Sequence, residues 1–219
     1  GMLPELLQRA TSMKVVQVRD RVRVKPGCVY VIPPNRDMSL LHGALHLFEP
    51  TAPRGLRLPI DFLFRSLAAD QKERSIGVVL SGMGADGTLG LRAVKDAAGL
   101  VLVQDPSTAK FDAMPRSAIA AGLADVVAPV RELPGKILSY VRHAPLHVRT
   151  VPALPEGDRS ALEKIAIVLR GRTGHDFSLY KSSTVLRRIE RRMGIHQIDR
   201  IATYVTYLQR NPQEVELLF

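Results

Sequence analysis

The stretch that most constrains the fold runs over residues 76–103, where two apolar runs flank a glycine-rich turn. Ile76-Gly77-Val78-Val79-Leu80 leads directly into Ser81-Gly82-Met83-Gly84-Ala85-Asp86-Gly87, and Leu100-Val101-Leu102-Val103 follows after a helix-length interval. Apolar runs of strand length without polar alternation suit strands covered on both faces, the condition found in parallel sheets. Residues 86–98 have the length of a helix, and Gly99 is placed to close it. The spacing therefore predicts a β-turn-α-turn-β unit with a right-handed crossover inside an α/β sheet.

Upstream, residues 15–18, 28–32 and 44–48 are short β-rich runs separated by turn chemistry at Lys25-Pro26-Gly27 and at Pro33-Pro34-Asn35-Arg36-Asp37. Pro59 opens an amphipathic helix over 60–68, with proline at a tolerated first-turn position. Residues 114–121 and 131–143 read as two more helices with a short strand at Val126-Val127 between them. Residues 144–157 hold Pro145, Pro152 and Pro155 without periodicity and read as a linker. Beyond it the texture is all helix. Asp158 is placed to cap 161–170, Ser183 or Thr184 a run ending at Met193, and residues 201–208 follow. The division is thus 1–143, an α/β domain, 144–157, a linker, and 158–219, a small all-α domain.

Composition narrows the function classes. A hydrophobic fraction of 46% over 219 residues is enough to bury a core. Cys28 is the only cysteine, which excludes an intrachain disulfide framework and points to a reducing, cytoplasmic setting. No apolar run approaches the ~20 residues that a membrane-spanning helix needs, so membrane insertion is not expected. The start carries no secretory signal, and Gly1-Met2 reads as the scar of a removed tag. The net charge of +10 favours an anionic partner: nucleic acid, a membrane surface or an acidic protein. His42 and His46 read as surface or packing residues rather than a metal pair, and no metal site is expected.

The glycine turn admits more than one chemistry. Gly82, Gly84 and Gly87 match G-x-G-x-x-G at the carboxyl end of a buried strand, and Asp105 ends the second strand where a dinucleotide fold places its ribose carboxylate. Against NAD or ATP stands Asp86, a carboxylate where pyrophosphate would meet the helix N-terminus. In the plainer reading the glycines reverse the chain and Asp86 caps the helix that follows.

Four separated motifs occur in order: residues 29–38 (Val29-Tyr30-Val31-Ile32-Pro33-Pro34-Asn35-Arg36-Asp37-Met38), Pro59-Ile60-Asp61-Phe62-Leu63-Phe64, the turn at 81–87, and Met114-Pro115-Arg116-Ser117-Ala118. Together they resemble the catalytic domain of chemotaxis methylesterases of the CheB type. The resemblance implies a doubly wound, mostly parallel α/β sheet and a serine hydrolase of glutamate methyl esters on chemoreceptor helices. It places the aspartate of a Ser-His-Asp triad on Asp86, with Gly82, Met83, Gly84 and Met114 lining the site and Met83 at the oxyanion position. The serine and histidine of that family lie ahead of the first strands present here. Ser12 has no glycine neighbour and no histidine precedes His42, so the domain reads as incomplete and this chain as inactive in ester hydrolysis. An incomplete sheet also leaves an unpaired edge, through which a homodimer could form.

In the last third, Asp176-Phe177, Tyr180-Lys181 and Arg187-Arg188-Ile189-Glu190-Arg191-Arg192-Met193 resemble the N-terminal helical domain of CheR-type receptor methyltransferases. Helical spacing puts Arg187, Arg188, Arg191 and Arg192 on one broad face. The resemblance implies docking onto acidic chemoreceptor helices, for which guanidinium forks suit carboxylates. DNA binding is the competing reading of such a face, but no helix-turn-helix signal accompanies it, and nucleic acid is not favoured. No S-adenosylmethionine loop follows Arg192, so no cofactor is expected in this chain; that cofactor belongs to the methyl-transfer domain, which is absent. A receptor-binding scaffold without chemistry is the alternative function, and a dinucleotide-binding protein a further one.

Overall fold

The structure, a computed structural model, describes residues 2–53, 55–143, 154–175, 177 and 180–218. The chain divides into two compact units, Gly1–Ala124 and Asp125–Phe219.

The first unit opens with α1 (Met2–Ala10) and then alternates strands with turns: β1 (Lys14–Gln17), β2 (Val22–Arg23), β3 (Cys28–Val31), β4 (Asp37–Leu41) and β5 (Ala44–Phe48). The helix α2 (Pro59–Gln71), strand β6 (Ile76–Val79), helix α3 (Thr88–Asp96), strand β7 (Leu100–Gln104) and helix α4 (Ala113–Ala120) complete it. Two strand pairs are parallel: β1 with β3, Val15 opposite Val29, and β6 with β7, Ile76 opposite Leu100. Every residue of β7 is buried, as its unalternated apolar run predicts. Strands β2, β5 and β4 form an antiparallel sheet in that order. This is the α/β architecture of parallel sheets with flanking helices, and helices alone follow in most of the second unit.

Three elements escaped the sequence reading. In β4, Met38 and Leu40 face the core beside Val18 and Leu45, so the residues after Asp37 carry a period of two that the preceding prolines disguise. Strand β2 is only two residues long. Helix α1 has apolar residues at helical spacing, yet none of its residues is buried. One boundary also moves: α3 starts at Thr88, two residues beyond Asp86, and the left-handed residue after its end is Ala98 (φ 62°) rather than Gly99. Gly99 is needed for another reason: a Cβ there would lie 2.6 Å from the Ser75 carbonyl oxygen.

Helix α2 ties the first unit together. Phe64 and Ala68 join the core that α3 and β7 fill with Leu91, Val94, Val101 and Val103, while Leu63 and Leu67 cover the antiparallel sheet. The Ser66 hydroxyl accepts the Leu40 N–H at 2.9 Å, and the Asp70 carboxylate accepts the N–H groups of His42 and Gly43 in the β4–β5 turn. His42 thus serves a tight turn (φ 50°), and His46 lies on β5 opposite Ser39.

The second unit contains β8 (Val126–Ala128), α5 (Leu133–His143), α6 (Glu156–Thr173), α7 (Ser182–Ile195), α8 (Ile201–Arg210) and α9 (Pro212–Leu218). Its core gathers Ala161, Ile165 and Leu169 of α6, Leu186 and Ile189 of α7, and Tyr204 and Leu208 of α8. Asp158 does not cap α6: the helix begins at Glu156, with Pro155 ahead of it, and Asp158 sits in its first turn. Likewise α7 starts at Ser182 behind Lys181, without a side-chain cap. Of the linker segment 144–157, residues 144–153 lie outside the described residues, and Leu154 is already buried in the helical core.

Candidate functional site

The glycine turn leaves the end of β6 and is stitched to the loop that precedes α4. Ser81 N–H donates to Gln104 Oε1 at 2.9 Å, and Phe111 N–H donates to Ser81 Oγ at 2.9 Å. Gly82 N–H donates to the Phe111 carbonyl at 2.9 Å, and Met114 N–H donates to the Gly82 carbonyl at 3.1 Å. A Cβ on Gly82 would fall 2.2 Å from Met114 Sδ, so a side chain there would have to displace the methionine. Of the site-lining residues expected from sequence, Gly82 and Met114 therefore touch. Met83 is 75% exposed, and Gly84 takes φ 81°, which a side chain would strain.

Asp86, the expected triad acid, does not cap the helix that follows it. Its Oδ2 accepts Ile60 N–H at 3.1 Å and its Oδ1 accepts Asp61 N–H at 3.0 Å, both in the first turn of α2. The residue ahead of α2, Leu58, offers no side-chain cap, so Asp86 satisfies the orphan donors from across the fold. The favour is returned. Asp61, 4% exposed, accepts Gly90 N–H at 2.6 Å, an orphan donor of α3, whose own preceding residue Gly87 has no side chain to cap with. Two helix starts thus cap each other, a capping box spread over two helices. They approach so closely that a Cβ on Gly90 would sit 2.9 Å from Asp61 Cα and 2.6 Å from Phe64 Cβ. A carboxylate offers about four acceptor positions, and the two backbone bonds leave Asp86 able to accept another donor.

The same geometry bears on the nucleotide reading. Asp105 accepts the Ser107 N–H at 2.9 Å and the Ser107 hydroxyl at 2.8 Å, both on Oδ1. The Ser107 N–H bond, foremost, holds the Asp105 carboxyl below its ordinary value. Asp86 keeps a carboxylate beside the three turn glycines, which disfavours a pyrophosphate there. Among the described residues no group of three histidine, cysteine, aspartate or glutamate side chains could hold a metal ion.

The arginines of α7 separate into two pairs. Arg188 is exposed and Arg187 half-buried. Arg191 and Arg192 are 7% and 2% exposed, which corrects the expectation of four guanidinium groups on one open face. Arg191 donates to Asp125, and Arg192 makes a two-pronged bond to Glu214, 2.7 Å through Nε and 2.6 Å through Nη2. Glu214 also accepts the Tyr204 hydroxyl at 2.7 Å and bonds His196 Nε2 at 2.8 Å. Burial alone would raise the Glu214 carboxyl, but the bonds from Arg192 and His196 pull it down to about 2. Burial, reinforced by the charge of Glu214, pushes the Tyr204 phenol up. Sequence could not pair Arg192 with an acid 22 positions away, although Glu214 has the visible signature of an acid in the first turn after Pro212. Beside Arg188 lies an apolar hollow of about 290 Å³ lined also by Leu169, Phe177, Tyr180, Val185 and Leu218. Asp176, expected to share in the methyltransferase likeness, lies outside the described residues.

Comparison with known proteins decides the lineage. Residues 1–137 match the family model of the CheB methylesterase domain, and residues 160–219 match that of the all-alpha domain of CheR methyltransferases. The chain belongs to the CheB methylesterase family. The crystal structure of the Thermotoga maritima CheB methylesterase catalytic domain superposes with a TM-score of 0.56 at 33% identity, covering 63% of this chain and 77% of that one. A protein-glutamate methylesterase/protein-glutamine glutaminase of Moorella thermoacetica is 36% identical over 66% of this chain. An uncharacterized 104.1 kDa protein of Rhodobacter capsulatus is 38% identical over 99% of this chain, and so spans both domains. The chain covers 25% of the Rhodobacter protein and 36% of the Moorella enzyme. The pairing of a CheB methylesterase domain with a CheR helical domain, expected from the motifs, is therefore present. No helix among the described residues is long and apolar enough to cross a membrane.

Proposed function

We propose that this chain is the carboxylate-bearing part of a cytoplasmic chemosensory methylesterase, joined to the receptor-docking domain of a protein-glutamate methyltransferase. The observation that carries the reading is the state of Asp86. Its carboxylate lies at the carboxyl end of a buried parallel strand, fixed by Ile60 and Asp61 N–H groups and still able to accept an imidazole N–H. In serine-hydrolase chemistry such an acid accepts from histidine Nδ1–H, holds the right tautomer, and steadies the imidazolium formed when serine loses its proton to the ring. The serine then attacks the methyl ester carbonyl. Backbone N–H groups of the glycine turn at Met83 and Gly84 are suited to the developing oxyanion; on collapse methanol leaves with the imidazolium proton, and water then hydrolyses the acyl-serine to the glutamate carboxylate and free serine.

On this reading the serine and histidine of that mechanism are supplied from outside these 219 residues. Release of methanol from methylated chemoreceptor is therefore expected of the natural gene product that contains this segment, and not of the 219-residue chain alone. Absence of turnover in the natural gene product would overturn the methylesterase reading. Turnover by the 219-residue chain above buffer would mean that a serine and a histidine within it have been recruited. For docking, Arg188 and the neighbouring hollow are the surface we assign to an acidic receptor helix. Salt-sensitive binding to DNA with no affinity for receptor peptide would contradict that assignment.

A further inference from the structure

We propose that Asp61 is a positioning residue for Asp86: it sets where α2 lies against α3 and thereby the direction in which the Asp86 carboxylate faces a histidine. The inference rests on the methylesterase reading above. Asp61 acts in both directions at once. Its side chain takes Gly90 N–H from α3 at 2.6 Å, while its own backbone N–H holds Asp86 Oδ1 at 3.0 Å. The two bonds share one residue, so any slide of α2 along α3 that breaks the first also displaces the second.

The chemistry of the position supports a positional role over a packing one. Asp61 is 4% exposed among apolar neighbours, and a buried acid costs free energy that an apolar side chain of similar volume would not. What the acid supplies is direction. A carboxylate bond to one N–H pins α2 at one residue of α3, whereas apolar packing tolerates sliding. Gly90 removes the other freedom, because a Cβ there would lie 2.9 Å from Asp61 Cα and 3.1 Å from the Asp61 carbonyl oxygen. One residue of slip in a helix is about 1.5 Å, enough to swing the N–H groups of Ile60 and Asp61 off the Asp86 oxygens. Displacement of a catalytic group by about 1 Å costs on the order of a hundredfold in rate.

Two variants, D61A and D61N, test this in two assays. Amide hydrogen exchange in the 219-residue chain reads the capping directly: D61A raises exchange at Gly90 and also at Ile60 and residue 61, each by about fivefold. Methanol release by the natural gene product reads the consequence: kcat falls on the order of a hundredfold with KM unchanged. D61N keeps an accepting oxygen and recovers most of both losses. Increased exchange at Gly90 alone, with Ile60 still protected and kcat intact, would overturn the proposal. Should D61A fail to fold, D61N decides: exchange at Gly90 and Ile60 rises together by about twofold, or the coupling does not exist. If the unaltered gene product releases no methanol, the methylesterase reading falls, and the exchange at Ile60 still decides whether Asp61 places Asp86.

Discussion

The two units bind acids in opposite ways. In the first, Asp86 and Asp61 accept backbone N–H groups at helix starts. In the second, Glu214 accepts side-chain donors from Arg192, Tyr204 and His196, and Asp125 binds Arg191. Backbone donors are fixed by the fold, so an acid that uses them is itself fixed in space while its remaining acceptor positions stay available for chemistry. Side-chain donors are consumed in the bargain: the Arg191 and Arg192 heads are closed off from any partner. The contrast separates a site that orients an acid from a cluster that holds α7, α8 and α9 together.

Breaking the side-chain cluster gives the largest expected effect. Arg192→Ala or Glu214→Ala leaves an uncompensated buried charge and costs about 3–5 kcal/mol in urea unfolding of the second unit. A loss under about 1 kcal/mol would mean that the cluster is solvated and that the arginines remain open to partners. Lowering the pH attacks the same bond more gently. The Glu214 carboxyl is held at about 2 in the folded chain against an ordinary 4.5. A depressed folded value contributes stability above the unfolded value and loses it as pH falls, here between about 4.5 and 2. Thermal melts of the helical unit should therefore weaken over that window, and Glu214→Gln should flatten this acid limb. An unaltered limb in that variant would remove Glu214 from the cause.

In the first unit the expected losses are smaller, because the donors left without a partner are neutral backbone N–H groups rather than charges. Gly90→Ala drives a Cβ into backbone and Phe64 and costs about 1–3 kcal/mol. Asp86→Ala removes the cap of α2 and costs about 1 kcal/mol, with increased exchange at Ile60. If Asp86→Ala instead destabilised as much as Glu214→Ala, the distinction between an orienting acid and a structural cluster would collapse. Arg188→Glu, at an exposed position, should leave stability within about 0.5 kcal/mol while weakening binding to acidic receptor peptide.

What the sequence disclosed and what it hid follow the same division. The β6–α3–β7 unit was legible because unalternated apolar runs and a glycine turn are local signals. Asp86 could be singled out from its turn, but its partners could not: Ile60 and Asp61 lie 26 and 25 positions away, and nothing local says that α2 lacks its own cap. Helical periodicity correctly placed four arginines on α7, yet period alone does not say which way the face turns. Arg191 faces Asp125, 66 positions upstream. Strand β4 is hidden in the sequence because the alternation of Met38 and Leu40 is short and follows directly on the turn signal Pro33-Pro34-Asn35.

We propose Asp86 as an orienting acid of a methylesterase site rather than only a helix cap. Methanol release from methylated chemoreceptor by the natural gene product, with and without Asp86→Asn, tests it most directly. Turnover is expected to fall on the order of ten-thousandfold, while amide exchange shows one of the Ile60 and Asp61 N–H groups still protected by the remaining amide oxygen. Turnover unchanged by Asp86→Asn would contradict it and leave Asp86 as a helix cap alone.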